Sequence, residues 1–280
     1  MSMIKELENA DSYVETAKKA KERADLPGAK KYYRAALEIY ESEAEKARTI
    51  QIMKKLRDVY MELSCTEQGM HNIADAMMWG KKYLNIANEL YELVPSEEMH
   101  LNAAYALQNF GDIYILRKNF NRAAKYYLKC LTIYEDIANK TAWLEAYRDI
   151  ASVNGVLGMI YTGLKDRKTS EEYFEKGINA WSYAAEQSGY VEDIQKLACM
   201  YYNSAVSQLE WNDHQKARDA YLKSADHYIS AAEETNDPYF FQMAGTSYME
   251  AAKAAKSQND TEGAEELKRK AEEIYNSRRR

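Results

Sequence analysis

The chain has 280 residues, 46% hydrophobic and 29% charged, with acids and bases mixed along its length and a net charge of −6. That balance suits a folded, well-buried chain and excludes a disordered one, and it offers no basic stripe of the kind a nucleic-acid surface needs. No run of 18 apolar residues occurs, and the amphipathic N-terminus lacks the apolar core of a signal peptide, so no membrane contact is expected and the location is predicted to be cytoplasmic.

Taken in order, the chain counts out a repeat. Alanine returns every 47 residues at Ala29, Ala76, Ala123, Ala217 and Ala264, with Ser170 in the fourth place. Four residues before each stands Asp25, Asn72, Asn119, Asp166, Asp213 or Asp260, and twelve before stands Ala17, Ser64, Gly111, Gly158, Ala205 or Ala252. Aligned columns without an insertion mean six copies of one unit, near 3–48, 49–95, 96–141, 142–189, 190–236 and 237–280. In the third copy, Leu101, Ala104, Leu107, Phe110, Gly111, Tyr114 and Ile115 keep helical spacing. The pattern breaks at Arg117 to Phe120 and resumes with Ala123, Tyr127, Cys130, Leu131, Tyr134 and Ile137. Each copy is therefore predicted as an antiparallel pair of helices of about 20 residues joined by a tight turn. The Asp/Asn column belongs to that turn, as a left-handed residue or as a helix cap. The small-residue and alanine columns belong where the two helices cross closely.

Between copies, Ser96, Thr141 and Asp237 have the chemistry of N-caps, Pro238 suits a first helical position, and Ser188-Gly189 reads as a stop. Tyrosine outnumbers phenylalanine 24 to 5, which suits thin helical layers where the ring is buried and the hydroxyl reaches outward. Trp143 and Trp181 are expected in the core, Trp79 beside it and Trp211 partly exposed. The first helix is polar, and the last, Glu262 to Ser277, is strongly charged, so both ends look capped and a monomer is predicted. Arg278-Arg279-Arg280 reads as a solvated tail, with an anionic partner as the alternative.

The string Leu107-Gln108-Asn109-Phe110-Gly111-Asp112-Ile113-Tyr114, followed by Asn119-Phe120, Ala123-Ala124 and Tyr127, resembles the tetratricopeptide repeat (TPR), as do Leu157-Gly158, Tyr161, Ser170 and Phe174. The resemblance runs unevenly over the whole chain. It implies an all-α fold, an α-solenoid (right-handed superhelix) of six TPR-like antiparallel helix pairs in a single domain. The period departs from the usual value of about 34, and is similar to long-helix variants in bacterial regulatory arrays and kinesin light chains. Such arrays hold a peptide or protein segment in a concave groove lined by the first helix of each pair. Carried over by position, the groove-facing residues are Tyr105, Gln108, Asn109, Asp112 and Ile115 in the third copy, and Ser152, Gly155, Val156 and Met159 in the fourth. In the fifth they are Cys199, Tyr202, Asn203 and Val206, while Asn102 and Arg148 extend the same faces. The resemblance implies that Asn109 and Asn203 bond a bound peptide's backbone, since an amide both donates and accepts. The alternative is a solvated polar residue. The matching positions elsewhere are Glu15, Glu62, Val156 and Glu250, so there is no continuous asparagine ladder, and no basic carboxylate clamp is recognisable. Tyr105, Tyr202 and Met159 suit an apolar floor or, equally, packing between repeats.

No catalytic constellation stands out, and neither a cofactor nor a metal is expected. His71, His100, His214 and His227 are far apart in an array, and Glu97-x-x-His100 is only half of a di-iron spacing. Gly155-x-x-Gly158 lies within a helix and lacks the strand and lysine of a phosphate loop. Cys65, Cys130 and Cys199 are odd in number and lack metal spacing, which suits a reducing compartment. The sequence therefore predicts a non-enzymatic scaffold that grips a protein or peptide with its middle three copies. The alternative is a peptide-responsive regulatory receptor acting on a separate effector chain.

Overall fold

The computed structural model describes residues 3–141 and 143–276; the arginines at 278–280 lie outside the described residues. The helices come in chain order as α1 (Met3–Glu22), α2 (Leu26–Lys46), α3 (Ile50–Gly69), α4 (Ile73–Leu93), α5 (Glu97–Leu116) and α6 (Phe120–Thr141). They continue as α7 (Leu144–Gly163), α8 (Arg167–Ser188), α9 (Val191–Leu209), α10 (His214–Thr235), α11 (Pro238–Ser257) and α12 (Thr261–Asn276). No strand occurs among the described residues. The chain forms two compact units, one up to Ile133 and one from Tyr134 onward, and the division falls within α6.

The turn inside each copy uses two adjacent residues for two jobs. Ala24, His71, Lys118, Lys165, Asn212 and Asn259 take left-handed φ values between 54° and 64°. The Asp/Asn column follows immediately, and its role is capping. Asp25 accepts from the Gly28 amide at 2.9 Å, Asn119 from Arg122 at 3.2 Å, Asp166 from Thr169 at 3.2 Å, Asp213 from Lys216 at 3.2 Å and Asp260 from Gly263 at 2.9 Å. Each occupies one of the orphan amides that begin a helix. Asn72 differs: its amide donates to Glu67 at 3.1 Å and Asp75 at 3.3 Å, holding the turn through side chains.

Close approach explains the other columns. All six alanine-column residues are buried. A Cβ on Gly111 would lie 2.7 Å from the Tyr127 ring, and one on Gly158 would lie 2.8 Å from the Phe174 ring. Tyr33, Tyr40, Tyr221 and Tyr228 are buried completely or nearly so. Several ring hydroxyls end on carboxylates of other helices: Tyr40 donates to Asp11, Tyr127 to Asp112, and Tyr60 to Glu41 at 2.7 Å. Tyrosine here is a core residue with a polar anchor, which is why it displaces phenylalanine.

Most connections between copies follow the sequence signals. Ser96 accepts from the Met99 amide at 3.3 Å, Asp237 from Tyr239 at 2.8 Å, and α11 begins at Pro238. Gly189 ends α8 with φ 64°. Thr141 does not cap α7. It is the last residue of α6, with its hydroxyl bonded to the Ile137 carbonyl at 2.8 Å. The capping position falls to Trp143, which has no side-chain cap bond and is 47% exposed, so it is not a core residue. Trp181 and Trp79 are buried as expected.

Within each unit consecutive helices pack in turn, and two contacts skip a helix: α3 reaches α5, and α7 reaches α9. Among the described helix pairs, no two second helices are comparably close. First helices therefore lie on the tighter, inner side of each unit and second helices on the outer side.

Two substitutions test this account. Ala24→Gly should raise stability by about 1 kcal/mol, because glycine takes the left-handed conformation without the Cβ clash. Gly158→Ala should lower it by about 1–3 kcal/mol through overpacking against Phe174. Urea midpoints moving in these opposite directions would support the assignment; a neutral Gly158→Ala would contradict it.

Candidate functional site

The inner faces carry two hollows, one in each unit. The first, of about 550 Å³, is lined from α1 by Asp11, Val14, Glu15 and Lys18, from α3 by Lys55, Asp58, Val59, Met61 and Glu62, and from α2 by Tyr33 and Tyr40. Asp58, Met61 and Glu62 stand one repeat before Tyr105, Gln108 and Asn109, and Asp11, Val14 and Glu15 stand two repeats before. The columns assigned to the groove therefore do line an inner hollow, but in copies one and two, which the sequence did not single out. Those copies carry glutamate where the third and fifth carry asparagine, so an asparagine signal passes over them.

Charges in this hollow pair with one another. Lys18 meets Glu15 at 2.8 Å, Lys21 meets Glu62 at 2.6 Å, Arg57 meets Asp58 at 2.7 Å, and Lys55 meets Asp11. The exposed pairs among them add little stability, since solvent screens them. They leave a dipolar surface of alternating sign. Beneath it lies the fully buried Tyr33 hydroxyl, and burial first, then Glu62, pushes its pKa up.

The third-copy residues lie on α5 of the same unit. Asn109 is 7% exposed; its amide oxygen accepts from Ser64 at 2.8 Å and its nitrogen donates to the Cys65 sulfur at 3.4 Å. That amide is committed to joining α5 to α3. Asp112 accepts from the buried Tyr127; burial pushes its carboxyl pKa up and the hydroxyl pulls it down. Asn102 bonds back to the Glu98 carbonyl at 2.7 Å. Tyr105 is exposed and Gln108 half-buried.

In the second unit a hollow of about 760 Å³ is lined by Glu145, Arg148, Asp149, Ser152, Trp181, Tyr190, Glu192, Asp193 and Lys196. Arg148 on α7 grips Asp193 on α9 with two bonds of 2.8 and 2.7 Å and reaches Glu145 at 2.7 Å. These carboxylates, Asp193 first, raise the guanidinium pKa further, so its charge is fixed. The guanidinium also lies 5.7 Å from the centre of the Tyr190 ring, and Ser188 donates to Asp193. Arg148 thus ties copy four to copy five and forms one wall of the hollow. Further along these helices, Met159 is 45% exposed and Val206, one repeat on in the same column, is 44% exposed. Tyr202 packs edge-on against Tyr221 with centroids 5.0 Å apart. Asn203 is half-buried, and its amide finds no hydrogen-bond partner among the described residues.

The histidines stay apart. His71 is exposed in a turn, His100 stacks on Tyr91 at 4.5 Å, and His227 stacks on Tyr201 at 5.4 Å, where burial lowers its pKa. Among the described residues no group of three His, Cys, Asp or Glu is placed to hold a metal ion, and no helix is long and apolar enough to cross a membrane.

Residues 104–148 and 151–180 match the tetratricopeptide repeat family. The fold is similar to that of BtubC (BKLC) from P. vanneervenii, with TM-score 0.67 and 15% identity over 90% of this chain and 91% of that one. It is also similar to a signal-transduction ATPase with numerous domains from Pyrococcus horikoshii that has a tetratricopeptide repeat sensor (TM-score 0.62, 21% identity); 95% of this chain covers 36% of that one. A third likeness is to a putative kinesin light chain with TPR-like repeats from Podosopora anserina, with TM-score 0.54 and 15% identity over 81% of this chain and 99% of that one. No curated protein matches the chain in sequence. With the helix pairs, turns and columns described above, these likenesses define the class: the chain is an all-α helical-repeat solenoid. Its likeness to tetratricopeptide repeats in sequence is carried by residues 104–148 and 151–180.

Asp193 is 3% exposed and Arg148 only partly so, hence Asp193→Ala should cost about 2–4 kcal/mol by stranding the guanidinium. Chemical unfolding checks this. A loss below about 0.5 kcal/mol would mean that the pair behaves as a screened surface contact.

Proposed function

We propose that the chain is a non-enzymatic scaffold that holds a protein or peptide segment against the inner faces of its first helices. The observation that supports this best is on α7 and α9 of the second unit. Met159 and Val206 repeat in one exposed apolar column, and Asn203, one helical turn before Val206, has an uncommitted amide. Large apolar side chains left open beside a two-way hydrogen-bonding group suit an extended partner chain, whose main chain takes the amide and whose side chains cover the column. Of the fifteen residues expected in the groove, Met159, Tyr202, Asn203 and Val206 are proposed as contacts on this unit. Tyr105 and Gln108 are proposed as contacts on α5 within the first unit, separately from this face. Asn109, Asp112 and Arg148 support the face from within, and Asn102 bonds its own helix.

In a pull-down from source lysate, a partner retained by the wild type should be lost at least tenfold by Met159→Asp combined with Asn203→Ala, with helicity unchanged. Undiminished retention would move the contact off this face. Asn109→Ala should instead lower stability, by about 1–2 kcal/mol, through the loss of buried hydrogen bonds, and leave binding by the folded protein intact.

A further inference from the structure

The outer side of the first unit carries a surface of different chemistry. From Ile113 to Tyr134 the chain has no Asp or Glu, although acids outnumber bases 44 to 38 overall. The same stretch carries Arg117, Lys118, Arg122, Lys125 and Lys129. Among the described residues none of these five makes an ion pair, while Arg48, Lys54, Lys55 and Lys82 of the same unit all do. Three of the five, with Tyr114, Tyr126 and Leu128, line a hollow of about 390 Å³ that contains no carboxylate.

The hollow is built before any ligand arrives. Tyr114 and Tyr126 stack with centroids 5.5 Å apart and planes 11° apart. Arg122 lies over the Tyr114 ring at 5.5 Å and donates to its hydroxyl at 3.1 Å. A guanidinium has five N–H donors, so the rest of the fork stays open to a planar anion. Arg122, Lys125 and Lys129 fall at i, i+3 and i+7, on one face of α6. Their steps along the axis are about 4.5 and 6 Å. Side chains on one edge of an extended chain are about 6.6–7 Å apart. The cations therefore suit carboxylates at alternate positions of a short extended segment.

We propose that this surface docks an acidic segment of a protein partner, with Asp or Glu side chains at alternate positions and an apolar residue against the Tyr126–Leu128 wall. A nucleic acid fits less well. Arg122, Lys125 and Lys129 span only about 10 Å along the helix, and a duplex would continue past them over a chain whose net charge is −6. The surface lies on α6 together with Tyr114 near the end of α5, and it is independent of the inner-face reading.

Fluorescence anisotropy with the full chain tests it, using a fluorescein-labelled hexapeptide EDFEDE and its neutral counterpart QNFQNQ at low salt. The acidic peptide should bind and the neutral one should not, and raising the salt should weaken binding several-fold. Lys125→Glu with Lys129→Glu should weaken it at least tenfold, and Lys125→Gln with Lys129→Gln by a smaller factor in the same direction. Both lysines are exposed and unpaired, so these variants should fold. Met159→Asp with Asn203→Ala should leave this binding unchanged. Failure of the acidic peptide to bind above the neutral one would overturn the proposal. So would indifference to charge reversal, loss only in the inner-face variant, or displacement of the peptide by an equal concentration of a 20-nucleotide oligothymidylate.

Discussion

In the third and fourth copies the two helices approach until a ring of one fills the space a side chain would occupy on the other. Gly111 against Tyr127 and Gly158 against Phe174 leave no room for a methyl group. The rest of the copy follows from that distance. The facing alanines must be small, because anything larger would separate the pair. The turn must reverse direction in very few residues, which a left-handed residue followed at once by an N-cap achieves. The ring in the crossing must also be anchored, and the Tyr127 hydroxyl on Asp112 does this in the third copy.

Some contacts between copies are polar. Asn109 to Ser64 and Cys65, and Arg148 to Asp193, each join first helices of successive copies. A solenoid layer has little depth, so part of its interlayer contact comes from polar side chains that bond as they are buried. Arg148 and Asp193 also line the hollow of the second unit. Asn109 shows the consequence: an amide at a groove-facing register position can be consumed by the neighbouring layer, whereas Asn203, two repeats later in the same column, is not.

Legibility differed between the fold and the candidate site for this reason. Helix pairs, crossings and most caps rest on contacts at fixed offsets in every copy, so they print as columns at 47-residue spacing. The left-handed turn residue does not, because Ala24, His71, Lys118, Lys165, Asn212 and Asn259 share only a conformation that costs a solvent-exposed side chain about 1–2 kcal/mol. Thr141 looked like an N-cap by type, yet α6 extends to include it and leaves Trp143 exposed at the cap. The inner columns were readable as columns, but which copies form a hollow depends on the size and charge of side chains from separate helices. Tyr33 on α2, for example, closes the first hollow from beneath.

The sequence by itself determined the period, the pairing of helices, the small residues at their crossings and the caps at their turns, because each depends on neighbours a fixed distance away along the chain. It also contained the acid-free stretch from Ile113 to Tyr134. Tertiary structure alone decided which polar groups remain available. Asn109 is bonded and Asn203 is not, the cations of the first hollow are paired and Arg122, Lys125 and Lys129 of α6 find no carboxylate among the described residues. Availability is set by whatever partner the adjacent layer presents, and no single copy of the repeat encodes that.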